Sequence, residues 1–169
     1  MTRTYMAIFR DSKAAGSAVS ELSNKGYTKD VSVVAKNTDN AEVQTHEVKQ
    51  DVSDGTAVGA ATGAALGAVG AILVGAASFV LPGLGLVVLG PLATILSGTA
   101  AGAITGGVVG ALVDWGVPDE QAKDYEERIM RGEVLVAVTA GEDKEMEVNQ
   151  TFNKYGAEET YSSKSTKLI

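Results

Sequence analysis

At 169 residues with a formal net charge of -7, the chain has room for one or at most two domains and is too acidic to gather the Lys and Arg clusters that nucleic-acid phosphates require. It contains no cysteine, which excludes disulfides and thiolate metal sites. The opening Met-Thr-Arg-Thr-Tyr carries none of the charged, apolar and small-residue regions of a secretion signal, so the expectation is synthesis and retention in the cytoplasm.

Tyr5 to Phe9 is a short apolar run, predicted as a strand buried on nearly both faces. Asp11 or Ser12 then caps a helix whose apolar positions Ala14, Ala15, Ala18, Val19 and Leu22 share a face, and Gly26 closes it. Val31 to Ala35 is a second strand, completing one βαβ unit. Residues 37–54 are polar, with a weak edge strand predicted at Glu42 to Val48. His46, in this stretch, is the one histidine and lacks evident partners, so it reads as a solvated residue rather than a ligand.

The next stretch, Gly55 to Val113, runs for 59 consecutive residues without an Asp, Glu, Lys, Arg or His. Glycine recurs every four residues at Gly55, Gly59, Gly63 and Gly67, and again at Gly98, Gly102, Gly106 and Gly110. On a helix that spacing makes a stripe without side chains, along which another backbone can approach closely. The expectation is a glycine-zipper helical hairpin, with arms over 56–81 and 92–113 and the Pro82-Gly83 to Gly90-Pro91 segment between them. Each arm is long enough, at ~1.5 Å per residue, to reach across a ~30 Å hydrocarbon core. The large apolar side chains gather toward the tip: Phe79, Leu81, Leu84, Leu86, Val87, Val88 and Leu89 are expected to be buried there. Burial in lipid as a re-entrant wedge, in a two-pass span, in the middle of an oligomer, or inside the chain's own globule all satisfy that pattern.

After the insert, Pro118, Asp119 and Glu120 suit the start of a helix carrying Ala122, Tyr125 and Ile129 on one face and stopping at Gly132. Glu133 to Ala140 is the strongest strand signal, followed by a helix over Asp143 to Tyr155, a stop at Gly156, and a short strand at Glu158 to Ser162. The two ends of the chain look alike, with Asn24-Lys25-Gly26-Tyr27 set against Asn153-Lys154-Tyr155-Gly156. Two such βαβ halves build a ferredoxin-like sandwich of the α+β class. The expected division is therefore a discontinuous domain at 1–53 and 117–162, the apolar hairpin at 54–116, and a tail at 163–169.

No arrangement of residues calls for catalysis, a cofactor or a metal. The insert has no lysine for a Walker A loop, and Gly83-Leu-Gly85-Leu-Val-Val-Leu-Gly90 misses the dinucleotide pattern. The acidic residues Asp119, Glu120, Asp124, Glu126 and Glu127 alternate with Lys123 and Arg128, as on a solvated helix face. Trp115, at the base of the hairpin, suits either an interfacial anchor or a plug between hairpin and domain.

The strand-helix-strand ending Gly26-Tyr27 and Val31-Ser-Val-Val-Ala35, the insert with its Pro82-Gly83-Leu84-Gly85 turn, and the segment from Gly116-Val-Pro-Asp-Glu to Leu-Val-Ala-Val138 together resemble a family of bacterial general stress proteins, heat-induced or low-temperature-induced. That resemblance implies a stress-linked, non-enzymatic and membrane-associated protein, and it supplies no catalytic residues. The functional expectation is self-association through the glycine stripes, with the hairpin in or on a membrane at its cytoplasmic side. The alternative is a soluble homo-oligomeric scaffold, a ring, filament or particle, with the hairpins inside.

Overall fold

The computed structural model describes residues 2–36, 78–81, 85–93 and 102–163. Their elements run in order: β1 (Thr2–Phe9), α1 (Ser12–Leu22), β2 (Val31–Lys36), β3 (Ser78–Leu81), β4 (Leu86–Leu89), α2 (Gly102–Asp114), α3 (Asp119–Met130), β5 (Val134–Gly141), α4 (Glu145–Lys154) and β6 (Glu159–Ser162). The class is α+β. Six strands form one antiparallel sheet in the order β3-β4-β2-β5-β1-β6.

The terminal segments build the centre of this sheet. β1 and β5 pair along their whole length, from Thr2 opposite Gly141 to Phe9 opposite Val134. β5 lies between β2 and β1, and β1 lies between β5 and β6, so the two βαβ halves are interleaved rather than side by side. Local signals act as expected. The Asp11 carboxylate accepts from the Ala14 amide at 2.7 Å, and Gly26, Gly132 and Gly156 leave their helices at positive φ.

Side chains alternate to two apolar faces. Tyr5, Ala7, Phe9, Val31, Val33, Val136 and Val138 meet Ala15, Val19 and Leu22 of α1 and Val148 and Phe152 of α4. Phe9 and Phe152 stack edge to face at 6.1 Å. On the opposite face, Met6, Ile8, Val34, Leu135 and Ala137 meet Leu86 and Val88 of β4, Val108, Ala111 and Leu112 of α2, and Ala122, Tyr125 and Ile129 of α3. Strands buried on both sides explain the continuous apolar runs in β1, β2 and β5.

The tip of the insert corrects the helical-hairpin expectation. Phe79 and Leu81 lie in β3, and Leu86, Val87, Val88 and Leu89 lie in β4. These two strands pair with each other from Ser78–Leu89 to Leu81–Leu86, and β4 then pairs with β2. The physical cause is visible in hindsight: two four-residue runs of aromatic, β-branched and Leu residues flank Pro82-Gly83-Leu84-Gly85, and β2 offers an unpaired edge to the second run. Leu86, Val87 and Val88 are buried within the chain itself. Leu84 and the first arm up to residue 77 lie outside the described residues, as do Gly55, Gly59, Gly63, Gly67 and Gly98, His46, the strand expected at 42–48, and residues 164–169. Ser163 is buried and continues the pairing of β6, its amide donating to the Thr4 carbonyl at 2.9 Å.

The chain leaves β4 through Gly90, at φ 87, where any Cβ would overlap the Val31 carbonyl oxygen of β2. This close crossing sets the helical turn at 91–93 over the sheet, with the Leu92 amide donating to the buried Ser32 hydroxyl at 3.0 Å. Gly85 also has positive φ, 63, but a Cβ there would meet nothing within 4 Å. Gly90→Ala is therefore expected to cost about 3 kcal/mol, and Gly85→Ala about 1 kcal/mol, because only the first adds a backbone collision to the dihedral strain. Urea unfolding with an unchanged m-value measures both.

Candidate functional site

The insert is the part of the chain with the most unusual chemistry, and residues 92–93 and 102–113 of its second arm are among those described. α2 is not one straight rod: Gly107 sits at φ 53 and ψ -141, a conformation only glycine adopts readily, and breaks the helix there. Gly102 and Gly106 precede this break and Gly110 follows it, so the predicted stripe is not continuous along one axis. Beyond the break, Val108, Ala111 and Leu112 point into the sheet's second face, where full burial of Leu112 alone contributes roughly 2 kcal/mol. At 100° per residue Gly110 falls on the opposite side of the helix, close to Val113, which stays 39% exposed. The core side of α2 thus uses Val, Ala and Leu, while glycine is left on the side turned away.

α2 ends with the Val117 amide bonding back to Leu112 and the Gly116 amide to Val113, a glycine-terminated cap at φ 87. The Tyr161 hydroxyl donates to the Gly116 carbonyl at 2.9 Å, tying this cap to β6. Trp115 is partly buried against the apolar cluster on the sheet's second face, where insert and domain meet.

Charge chemistry lies elsewhere, on two surface clusters. Arg128 of α3 is only 13% exposed and faces three carboxylates, Glu133 at 2.8 Å, Glu158 at 2.6 Å and Glu159 at 3.2 Å. Glu159 also accepts from the Gln121 amide at 2.8 Å, and Glu158 pairs with Arg10. Burial opposes the Arg128 charge, but the Glu133 hydrogen bond and the surrounding carboxylates outweigh it and raise its pKa. The sequence pattern suggested a solvated helix face, and Lys123 with Asp119 fits that reading at more than half exposure each. Arg128 does not, since beside the nearby Glu133 it meets Glu158 and Glu159, 30 and 31 residues further along the chain; no local spacing announces those two. Beside it, the fully buried Tyr125 has its hydroxyl pKa pushed up by desolvation.

The second cluster joins the two look-alike helix ends. Glu21 accepts from Lys154 at 2.6 Å and from the Tyr155 hydroxyl at 2.8 Å, and Lys25 approaches its other oxygen at 3.0 Å. These bonds, that of Lys154 foremost, hold its carboxyl at about 2. A shallow open groove of about 620 Å³ lies along α4 between Glu142, Asp143, Met146 and Asn153. Among the described residues no group of three or more His, Asp or Glu could hold a metal, and no helix is long and apolar enough to cross a membrane. Arg128 and Glu21 act as structural clamps between elements.

Two measurements test the clamps. Arg128→Met, which leaves Glu133 and Glu159 without a cation and Glu158 with Arg10 alone, is expected to lower unfolding free energy by about 2 kcal/mol, and Arg128→Lys to restore less than half, since one ammonium cannot face three partners in a plane. For Glu21, a depressed carboxyl pKa stabilises above its ordinary value of 4.5 and loses that contribution as pH falls toward 2. Glu21→Gln is expected to flatten the acid limb of stability between those two pH values, read from urea midpoints across the range.

No curated protein and no solved structure matches the chain. A family match spans residues 74–167, more than half of the chain: the β3–β4 hairpin, the helices over the sheet's second face, and the C-terminal βαβ half. On that extent of agreement the chain belongs to the DUF1269 family, described as a protein of unknown function.

Proposed function

We propose that this is a non-enzymatic, self-associating protein of the bacterial stress type, in which an acidic ferredoxin-like core carries an uncharged insert as its association surface. The strand order β2-β5-β1-β6 with α1 and α4 on one face supports the ferredoxin-like reading. The observation that carries the function is the split of α2: its Val108, Ala111 and Leu112 side is spent on the chain's own sheet, and its Gly110 and Val113 side is turned away without a charge. Net charge of -7 lies wholly outside residues 55–113, so copies repel one another everywhere except along the insert.

Placing the tip in the sheet shifts the balance between the two settings for such a surface. A soluble homo-oligomer with the inserts inside requires no lipid and leaves β3 and β4 where they are. Membrane attachment on the cytoplasmic side remains the second reading, favoured by the absence of charge over the whole of 55–113. Light scattering on detergent-free protein is expected to give a mass that is a multiple of 17.3 kDa, reduced by Gly110→Leu. Flotation with phosphatidylcholine vesicles separates the settings: protein that stays at the bottom as a multimer supports the scaffold, and protein that floats supports the membrane. A single 17.3 kDa species that does not float would overturn both.

A further inference from the structure

The two edges of the sheet are treated differently. β6, at one edge, is flanked by Glu158 and carries Glu159, both tied to Arg128, with Arg10 on Glu158 as well. Inserting charge at an edge is how sheets prevent pairing with other strands. β3, at the other edge, is Ser-Phe-Val-Leu, with no charge, no proline and no bulge, and among the described residues it pairs on its β4 side only. Neither β3 nor β4 carries a charge; the first charge met in the described ladder is Lys36 of β2, opposite Leu86, two strands in from the β3 edge.

We infer that β3 is the edge through which two copies of this chain join, antiparallel across a two-fold axis, into one continuous twelve-stranded sheet built from two six-stranded ones. The occupant is a second copy for a physical reason. Backbone N–H and C=O groups of an open edge are satisfied by another strand, and a two-fold antiparallel arrangement lets identical edges satisfy each other. With each subunit at -7, the partner of least repulsion meets at the neutral edge, and another copy offers that edge by construction. This rests on the self-association proposed above and specifies its geometry: the strand edge joins the pair, and the glycine side of α2 is left for higher assembly or lipid.

Absence of native cysteine makes the test direct. Two-fold antiparallel pairing sets one β3 residue opposite its own copy at about 4.5–5.5 Å, within reach of a disulfide. Single substitutions Ser78→Cys, Phe79→Cys, Val80→Cys and Leu81→Cys, with Thr160→Cys on β6 as control, are oxidised and run without reductant. Most of the protein is expected as a covalent dimer at one β3 position and none at Thr160. In unaltered protein, amides of 78–81 are expected to exchange about tenfold more slowly at high than at low concentration. A multimeric mass with no β3 cross-link and no such concentration dependence overturns the edge while leaving self-association standing. Protection of 78–81 that is independent of concentration also overturns it, since the edge is then covered from within one chain. A monomer at every concentration removes this inference together with the reading beneath it.

Discussion

A sheet with two apolar faces has to be covered twice. β1, β2 and β5 send Tyr5, Phe9, Val33 and Val136 to one side and Met6, Ile8, Val34 and Leu135 to the other, and neither set tolerates water. The short helices α1 and α4 are enough for the first face. The second falls to the insert and to α3, which is why a stretch rich in glycine and alanine is stitched so closely to the sheet at Gly90, Ser32 and Leu112. This requirement orders everything else: the β3–β4 hairpin widens the platform, α2 returns over it, and Trp115 and Tyr161 close the end.

Much of the framework was legible before the structure, because the signals are local. Asp11 with Ala14, glycine stops at positions 26, 132 and 156, and alternating or continuous apolar runs each act within a few residues. Boundaries moved by one to three residues; β1 begins at Thr2 rather than Tyr5, where its polar end is held by β5. The insert was harder. Glycine every fourth residue speaks for a helix, but Phe79-Val80 and Val87-Val88 on either side of a Pro-Gly turn speak for a hairpin, and tertiary pairing with β2 settles the competition for strands. Spacing alone could not reveal an edge waiting to receive them.

The surface clusters were illegible for a different reason. Arg128 meets Glu158 and Glu159, and Glu21 meets Lys154, only after β6 and α4 have been laid down beside earlier elements. Helical periodicity reports which residues share a face; it carries no information about which face another element will cross. The resemblance of the two chain ends, by contrast, has a spatial counterpart, since the Lys25 and Lys154 ammonium groups converge on one carboxylate.

The interleaving also dictates an order of events at the ribosome. Among the described residues β1 pairs only with β5 and β6, β2 only with β4 and β5, and β3 only with β4, so no ladder among them can close until residues 86–89 have emerged. Loop closure itself adds only ~0.6 kcal/mol per doubling of length, so the delay is one of timing more than of energy. A nascent chain therefore presents its uncharged middle to the cell before the β1–β5 centre exists to receive it. Synthesis, rather than the finished fold, is the moment at which this protein is most exposed to wrong partners.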